Sequence, residues 1–206
     1  MELIELRGSC PRCLGQQATS ACLCSLCAKE LAPLLGFVAP FTYEGAAATL
    51  VKACKKGGCS WLAQGMAGWM ALQLLALPSL WSIDYIVPTP ISAQRYFQRG
   101  YNQSLLLAEA LSSLLSVPCL SLLGRYSGGC SQTHLSQWNR GQLSQQQFVL
   151  REHCRPQSTL LLVDDVLTTG STLRCCAQTL LPLDPKGIYG LTFCTTRRTL
   201  PTSKGN

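Results

Sequence analysis

The chain has 206 residues, 47% of them apolar and 13% charged, and a formal net charge of +7. That length holds one medium α/β domain with a small appendage and excludes two full domains, while the apolar content excludes a disordered chain. The positive charge suits a binder of phosphates or nucleic acid. It includes no long lysine or arginine run, so it does not separate the two.

The first zone, residues 1–35, is rich in cysteine. Cys10-Pro11-Arg12-Cys13 and Cys24-Ser25-Leu26-Cys27 are two C-x-x-C units separated by ten residues. Each can turn two thiolates toward one ion, and tetrahedral zinc takes four. Cys22 is a fifth candidate that can replace Cys24. No secretory signal pattern is read, so a cytoplasmic location is expected, where cysteines at ligand spacing favour metal over disulfides. Cys54, Cys59, Cys119, Cys130, Cys154, Cys175, Cys176 and Cys194 follow no spacing and read as small buried hydrophobes. His134 and His153 read as surface residues.

A short strand pattern (Phe37, Val38, Phe41, Tyr43) precedes two helical patterns, Gly45–Lys55 and Trp61–Leu77, divided by Gly57-Gly58. The stretch from Trp61 to Trp81 is nearly uncharged and borderline for the roughly 20 apolar residues of a membrane span. Gln64, Gln73 and Pro78 interrupt it, so a buried helix and no membrane insertion are expected.

From Asp84 the rhythm becomes strand, loop, helix. Tyr85-Ile86-Val87 is a short strand closed by Pro88-Thr89-Pro90. Gln103–Leu115 reads as a helix, with Leu106, Leu107, Ala110, Leu111 and Leu114 at helical spacing. A short strand is expected near Cys119–Leu123, then a polar loop over 125–147. Structureless loops of that length inside a compact domain are commonly functional. Thr159–Val163 is a continuous apolar run, as a strand buried on both faces requires. Ser171–Leu181 is the next helix and Gly187–Thr195 the last strand. Strands alternating with helices imply a mainly parallel sheet flanked by helices over residues 36–198, with 199–206 a disordered tail.

The strongest signal is Leu160-Leu161-Leu162-Val163-Asp164-Asp165-Val166-Leu167-Thr168-Thr169-Gly170-Ser171-Thr172. In an open parallel sheet, ligands sit beyond the carboxyl ends of the strands. Here an apolar strand ends in two carboxylates, and a loop of hydroxyl residues and glycine opens the next helix. Backbone amides at a helix N-terminus receive a phosphate. Carboxylates just upstream accept sugar hydroxyls and share Mg²⁺, a cation that prefers oxygen ligands. Helix capping accounts for one of these residues but not for the adjacent acid pair and the hydroxyl run.

The segment resembles the binding motif for 5-phosphoribosyl-1-pyrophosphate (PRPP) of type I phosphoribosyltransferases. The resemblance implies that Thr168, Thr169, Gly170, Ser171 and Thr172 hold the 5-phosphate, and that Asp164 and Asp165 contact the ribose hydroxyls and the Mg²⁺ shell. The rest of the chain resembles the ComF family of competence and DNA-uptake proteins. This likeness rests on Tyr43-Glu44-Gly45 with Lys52 and Lys55, on Val87-Pro88-Thr89-Pro90 with Arg95 and Arg99-Gly100-Tyr101-Asn102-Gln103, and on Arg125, Gln132, Leu135, Arg140 and Phe148. Leu143 stands where that family often has asparagine, and Cys130 where threonine is frequent. The resemblance also implies the N-terminal zinc finger.

The expected fold is therefore a type I phosphoribosyltransferase fold behind a zinc-finger module. Backbone amides of the Pro88-Thr89-Pro90 turn are expected to meet a pyrophosphate, with Arg95 and Arg99 as its cations. Arg140 is the candidate catalytic cation of the loop. The first expected function is transfer of a phosphoribosyl group from PRPP to an unidentified acceptor, with inversion at the anomeric carbon. The alternative is a non-catalytic scaffold in transformation that works with a competence helicase or recombination-mediator protein, or binds single-stranded DNA weakly. No basic-aromatic stacking platform is read in the sequence.

Overall fold

In a computed structural model the structure describes residues 32–55, 59–76, 82–125 and 148–196. In chain order the elements are β1 (Gly36–Val38), β2 (Phe41–Thr42), α1 (Gly45–Lys55), α2 (Leu62–Leu75), β3 (Tyr85–Pro88), α3 (Ala93–Arg99), α4 (Gln103–Leu115), β4 (Leu123–Arg125), β5 (Phe148–Leu150), β6 (Thr159–Leu167), α5 (Ser171–Leu180) and β7 (Gly187–Thr195).

β6 and β7 form the centre of a parallel sheet, an α/β arrangement flanked by helices. β3 pairs with β6, while β1 and β2 follow one another along the far edge of β7. The side chains of a strand alternate between faces. Leu161, Val163, Leu191 and Phe193 therefore enter one core with α1, α2 and α4. Leu160, Leu162 and Ile188 enter the other with α5 and the β4–β5 hairpin. Both faces are covered over residues 160–163, and that is why this part of β6 is continuously apolar. Gly190 is required by close approach: a Cβ there would lie 3.1 Å from Phe37 and 3.4 Å from Leu173. The packed unit reaches back before Gly36, since Leu34 is fully buried and the Leu35 amide donates to the Ile188 carbonyl.

Four elements differ from the sequence expectations. The segment 93–99, read as loop, is the helix α3. It buries none of its residues and so carries no apolar period, but Ser92 caps it by accepting from the Arg95 amide. The strand expected at Cys119–Leu123 is reduced to a parallel bridge between Cys119 and Ile86. Regular pairing starts at Leu123, in an antiparallel hairpin with β5 that lies off the main sheet. The helix at 61–77 is regular over Leu62–Leu75 and is buried on one face only; Trp69, Leu72 and Leu75 are exposed. Finally, β6 does not stop at Val163 but runs on to Leu167. Among the described residues no helix is long and apolar enough to cross a membrane.

The turn between α3 and α4 is built by Gly100, left-handed at φ +78°, and by Asn102, whose side chain accepts from the Ser104 amide. The Tyr101 hydroxyl, between them, donates to the Cys54 carbonyl at the end of α1. Tyr101→Phe is expected to lower unfolding free energy by about 1 kcal/mol, the net worth of one hydrogen bond. The urea midpoint reads it, and an unchanged midpoint would show that the tie is not used.

Candidate functional site

The opening of the site follows from unequal strand lengths. β3 ends at Pro88, paired with Val163, whereas β7 stays paired with β6 through Leu167 and Thr195. From Asp164 onward one edge of β6 is thus uncovered, and the crevice forms there, beyond a carboxyl strand end. Asp164 and Asp165 lie inside the strand rather than past it. Successive strand residues face opposite sides, and the two carboxylates accordingly find different partners.

Asp164 Oδ1 accepts from Ser104 Oγ at 2.8 Å and from the Asp165 amide at 2.9 Å. Thr89 Oγ1 donates in turn to Ser104 Oγ at 3.0 Å, so β3, α4 and β6 share one hydroxyl chain. Asn102 Nδ2 donates to the Thr89 carbonyl at 2.9 Å and fixes that corner. Burial raises the Asp164 carboxyl to about 6, with the neighbouring Asp165 charge adding to it and the hydrogen bonds partly offsetting it. Asp165 Oδ2 lies 2.7 Å from Lys55 Nζ at the end of α1, an ion pair whose carboxylate side is 13% exposed.

The hydroxyl loop joins β6 to α5. Gly170 takes φ +83° at the N-cap, a left-handed conformation that a side chain would strain. Thr169 Oγ1 lies 3.0 Å from Ser171 Oγ and accepts from the Ser171 amide at 3.4 Å. This is a helix N-terminus lined with hydroxyl side chains, a setting suited to an anion.

A cleft of about 400 Å³ brings these parts together. Of the residues expected from the sequence, Asp164, Asp165, Thr168, Thr172, Thr89, Arg95 and Arg99 line it. Thr169, Gly170 and Ser171 shape the loop but are not on its wall. Arg95 and Arg99 reach it together because α3 places residues four apart on one face. The backbone expectation for the Pro88-Thr89-Pro90 turn does not hold as written. The Thr89 amide already donates to the Val163 carbonyl at 3.0 Å, and the prolines have no N–H. The Thr89 hydroxyl donates to Ser104 Oγ, so Thr89 joins the site through the chain that ends on Asp164.

Lys55, Tyr43, Gln103 and Arg125, noted in the sequence only through the family resemblance, also line the cleft. Ser104 and Thr196 were not singled out at all. Ser104 meets Asp164 from sixty residues away, a contact with no local signal. Arg140 and the remainder of 126–147, as well as Cys10, Cys13, Cys22, Cys24, Cys27, His134 and the tail, lie outside the described residues. The residues that flank 126–147 lie together, since Arg125 pairs with Phe148 and its guanidinium sits 5.4 Å from the centre of that ring.

Seven cysteines are described and all are free; Cys54, Cys176 and Cys194 are buried. Burial pushes Cys119 up to about 11 and Cys194 up to about 12, the latter helped by the Asp165 charge. These are inert thiols. His153 is exposed. Among the described residues no cluster of three or more His, Cys, Asp or Glu forms a metal cage. Two carboxylates open to a cleft are nevertheless a fitting donor set for Mg²⁺, which is commonly held by one or two carboxylates together with substrate phosphates.

No protein-family model matches the chain. It is similar to DNA utilization protein YhgH of Escherichia coli K12, with 31% identity over 177 residues, 84% of this chain and 77% of that protein. It is similar to competence protein F of Haemophilus influenzae, with 39% identity over 93 residues, 44% of this chain and 41% of that protein. Competence protein ComFC of Bacillus subtilis is 32% identical over 96 residues, 47% of this chain and 38% of that protein. The last two matches span less than half the length of those relatives. Among solved structures, the purine phosphoribosyltransferase from Pyrococcus horikoshii is 15% identical over 71% of this chain and 95% of that chain, with a TM-score of 0.38. At that score the structural likeness is loose.

Proposed function

From the premise that this chain belongs to the ComF family of competence and DNA-utilization proteins, we propose that its cleft binds PRPP with Mg²⁺ and serves phosphoribosyl chemistry. The observation that carries this reading is the meeting of Asp164, Asp165, Thr168, Thr172, Arg95 and Arg99 on one cleft of about 400 Å³. A site of two acids, a hydroxyl loop at a helix N-terminus and two arginines matches a ligand with one terminal phosphate, a diol and a diphosphate.

In this reading the loop Thr168–Thr172 takes the 5-phosphate through amides and hydroxyls. Asp164 and Asp165 accept from the ribose hydroxyls and would hold the metal. Bound Mg²⁺ supplies charge neutralisation on the diphosphate oxygens. Arg95 and Arg99 receive the negative charge that grows on the diphosphate as the C1–O bond breaks and an acceptor bonds to C1 from the opposite face. Lys55 already balances Asp165 at 2.7 Å and keeps the acid pair from repelling an anionic ligand. Calorimetric titration of the full chain with PRPP, with and without Mg²⁺, tests the reading. Magnesium-dependent binding is expected; its absence from folded protein overturns it.

A second reading follows from α3. Tyr96 is 52% and Phe97 86% exposed on the helix that carries Arg95 and Arg99. Exposed aromatic faces beside arginines suit single-stranded DNA, where each stacked base is worth about 1–3 kcal/mol. The relatives' names, competence and DNA utilization, point the same way. Phe97→Ala is expected to weaken binding of an oligothymidylate about tenfold in fluorescence anisotropy, while PRPP titrates unchanged. Equal oligonucleotide affinity in the variant rejects this surface.

A further inference from the structure

Gln103 opens α4 and is only 2% exposed, yet it stands on the wall of the cleft. Arg99, four residues earlier, donates to Gln103 Oε1 at 2.7 Å. An arginine carries donors only, so this contact fixes the sense of the amide, with oxygen toward Arg99 and nitrogen away from it. That nitrogen, Nε2, is the single buried side-chain polar atom without a hydrogen-bond partner among the described residues. Native proteins rarely leave a buried donor unpaired, because the group has given up water and received nothing in exchange. On the wall of a polar cleft, such a donor marks the place of a ligand atom.

The surroundings narrow what that atom is. A free N–H₂ needs an acceptor, and no described protein atom supplies one. Arg95 and Arg99 bring positive charge to the same cleft, which selects an anionic oxygen over a neutral one. Resting on the PRPP reading above, we propose that Gln103 is a specificity-determining residue. It donates from Nε2 to an oxygen of the ligand's diphosphate, so that the cleft distinguishes a 1-diphosphorylated ribose from one without the diphosphate. Gln103 lines the cleft while its Nε2 itself is buried. Contact therefore needs a small turn of the amide, and Arg99, held at Oε1, approaches the same group.

Two variants separate the donor from the packing. Gln103→Glu keeps an oxygen for Arg99, removes the donor and adds a negative charge; Gln103→Leu removes both polar atoms from a buried position without adding charge, so a loss common to both is the donor's. Each is titrated by calorimetry, beside the unaltered full chain, with PRPP and Mg²⁺, with inorganic pyrophosphate and Mg²⁺, and with ribose 5-phosphate. Both variants are expected to bind PRPP and pyrophosphate about tenfold or more weakly, as loss of a hydrogen bond to a charged group implies. Ribose 5-phosphate is expected to bind all three proteins alike. In thermal melts without ligand, Gln103→Leu is expected to match or exceed the unaltered chain, since an unpaired donor has been removed. Undiminished PRPP affinity in Gln103→Glu, or an equal loss for ribose 5-phosphate, overturns the assignment. If the unaltered chain binds none of the three probes, it is the PRPP reading that fails.

Discussion

Replacing Asp164 and Asp165 together by asparagine is expected to remove magnesium-dependent PRPP binding, with at least about a 100-fold loss of affinity, given two charge-assisted contacts of roughly 1.5–3 kcal/mol each. The two side chains meet the ligand region from one strand, beside an edge left open because β3 ends at Pro88. Asparagine keeps their size and can still accept from Ser104 and the Asp165 backbone position, so the fold should persist. What it lacks is the negative charge that accepts ribose hydroxyls strongly and draws in a divalent cation. Calorimetry on both proteins, with circular dichroism to show that the variant is folded, reads the result. Retained magnesium-dependent affinity would move the ligand away from the acid pair.

The second large effect concerns stability in the absence of ligand and Mg²⁺. The Asp164 carboxyl stands at about 6 in the folded chain against 3.8 for the ordinary group, chiefly through burial and then through the Asp165 charge. A raised value means that the folded state holds its proton over a range where the unfolded state has lost it. The contribution of Asp164 to stability is therefore most favourable below about pH 3.8 and is lost as pH rises through about 6. Above that, the ionised carboxylate costs on the order of 3 kcal/mol relative to a neutral residue. Asp164→Asn should be the more stable protein at pH 7 and 8, and the gap should close toward pH 4. Urea unfolding of both proteins across this range measures the difference. A gap independent of pH would mean that the carboxylate is not strained by its site.

These two results belong together. The charge that ligand binding needs is one that the empty fold holds at a cost, a common sign of a functional group. The same trade recurs at Gln103, where a buried donor is left without a partner. Lys55 reduces the cost for Asp165 but not for Asp164, whose relief comes from the hydroxyls of Ser104 and Thr89.

Much of this site was legible in the chain because its central part is contiguous. The apolar run into Asp164-Asp165 and the hydroxyl loop follow one another in sequence, and a strand, its end and the next helix start need only local order to be recognised. Helix α3 was not legible, since a helix that buries nothing has no apolar period; the capping Ser92 was its one local mark. The reach of β6 to Leu167 was hidden for a related reason. Its last four residues begin with two acids that interrupt the apolar run, and pairing with Thr192, Cys194 and Thr195 of β7 keeps them extended.

The sequence by itself determined the α/β rhythm, the apolar centre of the sheet and the chemical character of the phosphate loop, because each depends on residues near one another in the chain. Only the tertiary structure decided which groups complete the cleft. It set Lys55 against Asp165, hung Ser104 on Asp164 and left the Gln103 donor buried and unpartnered on a residue of the same cleft. These contacts join α1, α4 and β6 across long stretches of chain, and they exist only because packing on the sheet brings those elements to one strand end.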